Sequence, residues 1–140
     1  MSKIFFYGLF MDRALLAEKG CHPEVIGPAV LADYRIHIGE RATLLPSASS
    51  RAYGIVMELS EHEAHALYSE PSVRAYRREQ VQVTLVASSE VIEADCYNLP
   101  RDLGLIGANP VYANKLSQLV EALELDSDYA QEIAAFGKPS

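Results

Sequence analysis

The chain opens on KIFFYG, residues Lys3–Gly8, in which a short apolar run stops at a glycine. Such a run predicts a buried strand that ends in a turn. Asp12 stands where a helix N-cap is expected and Gly20 where a C-cap is expected, so a short helix over Arg13–Lys19 follows. A glycine at the turn lets backbone N–H groups point outward, where they can stabilise an anion.

Further along the chain, extended patterns outnumber helical ones. Strands are predicted over Val25–Ile38, Ala42–Pro46 and Tyr53–Leu59, with a turn at Ser47–Ser50, and over Tyr76–Ala87 and Val91–Leu99, which form a hairpin. Helices are predicted at a Ser60/Glu63 capping box, at Asn109-Pro110 and near Asp128. Regular crossover helices do not separate the strands. The pattern therefore favours an α+β fold, a small mixed β-barrel with peripheral helices.

Composition limits the classes of partner. The chain has 140 residues, 49% of them hydrophobic, and 19 acidic against 12 basic side chains give a formal net charge of −7. We expect one domain, 1–140, and no nucleic-acid partner, since phosphate binding needs a basic face. No apolar run is long enough for a membrane span, and no secretory leader is recognisable. A cytoplasmic location is expected, with Cys96 a buried free thiol.

One segment resembles a metal site. EHEAH, residues Glu61–His65, is one residue short of the His-Glu-x-x-His spacing of zinc sites, and it lies in the polar part of a capped helix. A solvated helix face is the interpretation we prefer. No phosphate loop or dinucleotide-binding glycine pattern is present, so neither a metal nor a cofactor is predicted.

Glu70 is the candidate catalytic carboxylate. It lies between the end of a helix and the strand that begins at Tyr76, with apolar and aromatic neighbours. A carboxylate in such surroundings can act as a general base. From spacing alone, a surface glutamate in a turn before Pro71 is the favoured interpretation.

The order of these segments resembles the gamma-glutamylcyclotransferase-like family, on its branch of gamma-glutamylamine cyclotransferase and plant avirulence-induced proteins. The resemblance covers nearly the whole chain. The corresponding segments are Phe6–Phe10, Ala29–Arg35, Ala42–Pro46, Ala52–Leu59, Ala66–Glu70, Tyr76–Arg78, Cys96-Tyr97 and Pro110–Tyr112. Three features depart from the family pattern. Leu9 replaces a serine or threonine, and Pro71 replaces a glycine. The Leu-Asp pair that precedes the catalytic glutamate in the family is altered here, and its spacing is one residue short.

The resemblance implies an activity. Members cleave gamma-glutamyl amides by attack of the substrate's own α-amine on its γ-carbonyl, which releases 5-oxoproline and an amine. It implies Glu70 as general acid and base. It also implies that substrate is bound by Tyr7, Gly8, Leu9, Phe10, Arg41, Tyr76 and Tyr112, with Arg77 an alternative to Arg41.

Other functions stay open at this point. A non-catalytic member would keep the pocket as a small-molecule binding or interaction module, and Leu9 and Pro71 favour this somewhat. An enzyme that trims a larger gamma-glutamyl substrate in a biosynthetic pathway, or an interaction domain that uses the C-terminal helices, is also compatible with the sequence. The oligomeric state is not predicted.

Overall fold

Five strands close into a barrel in this computed structural model, which describes residues 1–137. The order around the barrel is β1-β3-β2-β4-β5. The strands are β1 Ser2–Phe6, β2 Glu24–Ile38, β3 Ala42–Leu59, β4 Arg77–Leu85 and β5 Val91–Asn98. Neighbours pair antiparallel except β1 and β5, which run parallel and close the barrel where Ile4 faces Asp95. The predicted small mixed barrel is confirmed.

Five α-helices surround the barrel over the described residues. They are α1 Arg13–Glu18, α2 Glu61–Leu67, α3 Arg101–Gly104, α4 Pro110–Ala122 and α5 Ser127–Ala135, and a 3₁₀ turn at Leu9–Met11 precedes α1. The predicted caps form: the Asp12 carboxylate accepts from the Ala14 N–H, and Ser60 and Glu63 make a reciprocal capping box at α2. The last helix, predicted with a cap near Asp128, is capped by Asp126. None of these helices combines the length and apolar character that a membrane crossing requires.

Strand β3 is longer than predicted, because it spans two segments that were predicted as separate strands. The turn predicted at Ser47–Ser50 is wrong, because β3 runs unbroken from Ala42 to Leu59. The register against β2 shifts at Asp33, which has a φ of 66° and whose carboxylate accepts from the Ser49 N–H at 3.2 Å. Across this shift Ala32 pairs with Arg51 and Tyr34 with Pro46, so Ser47–Ser50 of β3 bulge out opposite Asp33 without ending the strand.

The core fills the barrel and the contact between the barrel and the helices. Phe5, Leu16, Met57 and Leu116 are at most 1% exposed, and burial of each such side chain contributes about 1.5–3 kcal/mol. Helices α4 and α5 pack against each other, and Ser117 Oγ donates to the Ala130 carbonyl at 2.8 Å. Cys21 and Cys96 are both buried and free. This packing leaves one end of the barrel, where β1 and β5 end and β4 begins, to form a cavity.

Candidate functional site

An aromatic cavity of about 350 Å³ lies at the end of the barrel where β1 gives way to the 3₁₀ turn. Eight of its sixteen lining residues are aromatic. The aromatic ones are Phe5, Phe6, Tyr7, Phe10, Tyr68, Tyr76, Tyr97 and Tyr112. They come from β1, the 3₁₀ turn, the segment between α2 and β4, β5 and the first turn of α4. Barrel closure thus brings together residues that are more than 100 positions apart.

All seven predicted binding residues line this one cavity. They are Tyr7, Gly8, Leu9, Phe10, Arg41, Tyr76 and Tyr112. Arg77, the alternative to Arg41, is exposed, does not line the cavity and donates to the nearby carbonyls of Arg74, Ala75 and Tyr76. That the seven residues bind substrate stays a prediction.

Glu70 lies at the rim of the cavity rather than on its wall. Its Oε2 is 2.7 Å from Nζ of Lys19, a residue that does line the cavity. The Glu70 side chain is 36% exposed, so it lies neither inside the aromatic enclosure nor in open solvent. Its backbone carbonyl accepts from the Val73 and Arg74 N–H groups, which fixes the turn after α2.

The Tyr7 hydroxyl faces the protein, and its ring faces the cavity. It donates to the Tyr97 carbonyl at 2.7 Å and to Asn98 Oδ1 at 2.9 Å. Asn98 Oδ1 also accepts from the Leu44 N–H at 3.2 Å, and Asn98 Nδ2 donates to Glu79 Oε1 at 3.0 Å. Burial raises the pKa of Tyr7 well above its usual value. This hydroxyl therefore anchors the end of β1 to β5.

Tyr76 and Arg41 line the cavity and link two segments of the chain. The Tyr76 hydroxyl donates to the Ala42 carbonyl, and Arg41 Nη1 donates to the Ser72 carbonyl at 3.4 Å. Burial raises the pKa of Tyr76, while the Arg41 charge partly opposes the rise. These contacts tie the segment between α2 and β4 to the start of β3.

The Gly8 turn and Tyr112 form the remaining wall. The Leu9 backbone N–H approaches the Tyr112 hydroxyl oxygen and opposes the effect of burial, which raises the pKa of Tyr112 to about 12. Asn109 caps α4 by accepting from the Tyr112 N–H at 3.0 Å. The cap holds Tyr112 at the first turn of the helix, from which its hydroxyl meets the turn after β1.

Nine lining residues lie outside the seven predicted ones, and two of them, Tyr68 and Lys19, bear directly on the site. The Tyr68 ring stacks on Tyr97 with centroids 3.7 Å apart and planes 6° apart, and Phe10 packs edge-on against Tyr68 at 5.8 Å. Burial raises the pKa of Tyr68 well above its usual value. The available signal for Tyr68 was its place beside Glu70 in the motif after α2. Lys19, at the end of α1, carried no such signal.

Comparison with known proteins identifies relatives. The family model described as "Gamma-glutamyl cyclotransferase, AIG2-like" matches residues 4–116. A solved structure named gamma-glutamyl cyclotransferase is similar with a TM-score of 0.79 and 15% identity, over 99% of this chain and 89% of that one. An uncharacterized protein from Homo sapiens is similar with a TM-score of 0.73 and 17% identity, over 99% and 89%.

An AIG2-like protein from Mus musculus is also similar, with a TM-score of 0.58 and 15% identity, over 79% of this chain and 90% of that one. No curated protein matches the sequence significantly. At these identities the solved structures establish the fold, and the family model, which spans most of the chain, establishes the family. The chain belongs to the gamma-glutamyl cyclotransferase, AIG2-like family.

Proposed function

We propose that this protein is a gamma-glutamyl cyclotransferase that releases 5-oxoproline and an amine from a gamma-glutamyl amide. One observation carries the proposal: the aromatic cavity combines the Gly8 turn with Lys19, whose ammonium contacts the Glu70 carboxylate. The cavity volume of about 350 Å³ lies at the lower end of the 300–1,000 Å³ typical of small-molecule sites.

The reaction is an internal displacement. The substrate's α-nitrogen attacks its own γ-carbonyl carbon, a new C–N bond closes the five-membered lactam, and the bond to the leaving nitrogen breaks. The α-ammonium gives up two protons and the leaving nitrogen gains two, so no water is consumed. Because nucleophile and carbonyl are already tethered, the protein has to fold the substrate and move protons.

Glu70 is the group that we assign to proton transfer. Its carboxylate lies at the rim, where an incoming α-ammonium would compete with Lys19 for it. We assign the backbone of the Gly8 turn, whose Leu9 N–H already approaches the Tyr112 hydroxyl oxygen, to the oxygen that gains negative charge as the amine attacks. Tyr7, which makes its own hydrogen bonds to Tyr97 and Asn98, shapes the wall.

The test is 5-oxoproline release from a panel of gamma-glutamyl amides by the purified protein and by Glu70→Gln. General acid–base catalysis contributes about 10²–10⁴-fold, so Glu70→Gln should lose at least about 100-fold in kcat. Its stability should change by less than about 1 kcal/mol, because the lost ion pair is exposed. The control, Glu121→Gln, alters an exposed carboxylate on α4 that does not line the cavity. Full activity in Glu70→Gln refutes the assignment.

A non-catalytic binding module is the second candidate. One observation favours it: among residues 1–137 no acidic side chain lines the cavity, and Glu70 is engaged by Lys19. A binder of this kind retains affinity for gamma-glutamyl amides in calorimetric titration yet releases no 5-oxoproline from any of them. Release of 5-oxoproline by the unmodified protein excludes this candidate.

A further inference from the structure

Within residues 1–137, two charged side chains line the cavity, and both are cationic. They are Lys19 and Arg41. Among the described residues each has one polar partner, Lys19 the Glu70 carboxylate at 2.7 Å and Arg41 the Ser72 carbonyl at 3.4 Å. A further positive charge inside the cavity would face both cations, and charges repel more strongly where protein has replaced water.

Most of the remaining wall is apolar surface. Aromatic rings make up half of the lining residues, and Leu9, Leu15 and Val73 add aliphatic surface. The hydroxyls of Tyr7 and Tyr76 donate to protein carbonyls rather than into the cavity. An uncharged, apolar ligand group that packs on these rings and aliphatic side chains therefore removes apolar surface from water.

Aromatic walls can also bind cations. Two of the rings already have a cation of the protein nearby. Lys19 Nζ lies 6.0 Å from the centroid of Phe10, and Arg78 Cζ lies 5.9 Å from that of Tyr97, which is also stacked on Tyr68. A cationic ligand group would find two of the rings already beside a cation of the protein and, within residues 1–137, no carboxylate on the wall.

We infer that the amide accepted by this cavity carries an uncharged, apolar leaving amine, and that Lys19 and Arg41 set this preference. The inference rests on the proposed function and specifies its substrate. The glutamyl α-carboxylate supplies the negative charge that a guanidinium pairs with in bidentate fashion, which is the role of Arg41. Lys19, at the rim with Glu70, disfavours an ammonium on the leaving group.

The test compares two gamma-glutamyl amides of equal length, the n-hexylamide and the 5-aminopentylamide, which differ by a terminal methyl against a terminal ammonium. We expect kcat/KM for 5-oxoproline release to favour the hexylamide at least tenfold. Calorimetric affinity for Glu70→Gln, which binds without turnover, should show the same order. Lys19→Met and Arg41→Met should each reduce the preference at least threefold. Lys115→Met, which removes an exposed cation outside the cavity, should leave it unchanged.

Equal or better use of the aminopentylamide overturns the inference, as does a preference that survives in both Lys19→Met and Arg41→Met. Failure of both amides to bind overturns it as well. Preferential binding of the hexylamide without 5-oxoproline release has a different meaning: the proposed cyclisation then fails, and the ligand class stands.

Discussion

The Tyr112 hydroxyl occupies the space that a side chain on Gly8 would need. A Cβ added to Gly8 would lie 2.8 Å from Tyr112 Oη, closer than real Cβ atoms approach other heavy atoms. Gly8 has a φ of −106°, which any residue adopts, so the requirement for glycine is steric rather than conformational. The glycine of the opening motif is therefore explained by a side chain more than 100 residues away.

Gly8→Ala should lower the free energy of unfolding by about 1–3 kcal/mol, as overpacking of a filled space does. The new methyl group pushes the Tyr112 hydroxyl away from the Leu9 N–H and narrows the cavity. Urea denaturation measures the change in stability. A matched background removes the clash: in Tyr112→Phe the same Gly8→Ala change should cost at least about 0.5 kcal/mol less. Equal costs in the two backgrounds would show that the contact is not the cause.

Asn98→Ala should cost about 2–4 kcal/mol. Asn98 is 6% exposed, and its amide serves the Tyr7 hydroxyl, the Leu44 N–H and Glu79. Each buried group left without a partner costs about 1–3 kcal/mol. Tyr7→Phe is the comparison: it should cost only about 1 kcal/mol, since Asn98 keeps Leu44 and Glu79. A smaller loss for Asn98→Ala than for Tyr7→Phe would contradict this network.

In an alkaline titration, the tyrosines that line the cavity should ionise together, when the protein unfolds. Burial raises the pKa values of Tyr7, Tyr68, Tyr76 and Tyr112 above that of a free phenol, which is about 10. Above pH 10 the unfolded chain releases protons that the folded protein retains, so stability is complete below about pH 10 and falls as pH rises. We expect tyrosinate absorbance from these residues to appear together with the loss of circular dichroism. Ionisation of all eight tyrosines near pH 10 with the fold intact would refute the buried assignments.

Gly54→Ala should destabilise the barrel severely, by at least about 3 kcal/mol. A Cβ there would lie 2.3 Å from the Phe6 carbonyl oxygen and 2.8 Å from Cζ of Phe5, because β1 and β3 pass closely at this point. Gly20→Ala is the comparison. Its added Cβ meets no atom within 4 Å, and its φ of +76° costs only about 1–2 kcal/mol. Thermal denaturation should place Gly54→Ala well below Gly20→Ala, and the reverse order would contradict the close approach.

The sequence pattern predicted those features that depend on residues close to one another along the chain. The Ser60/Glu63 capping box and the Asn109 cap span three residues each, and both form as predicted. The β4–β5 hairpin also forms, because alternation and a short turn specify it. The continuous β3 was missed because Ser47–Ser50 bulge out opposite Asp33 of the facing strand, and pairing resumes on both sides of the bulge.

The candidate site divides in the same way. The resemblance to the family singled out seven candidate binding residues, and the folded barrel brings all seven to one cavity. The pattern did not reveal that Glu70 pairs with Lys19, a contact across 51 positions, or that Tyr68 stacks on Tyr97. Contacts of this range depend on how α1, α2 and β5 meet at the barrel end.

Two levels of organisation can thus be separated. Strand and helix patterning, the caps and the ordered motifs are properties of the amino-acid order, since each depends on spacing along the chain, and they suffice for an α+β barrel of this family. The cationic wall, the partner of Glu70 and the steric need for Gly8 are decided only when β1 and β5 close the barrel. Charge repulsion and atomic overlap act over a few ångströms of space, whatever the separation in sequence.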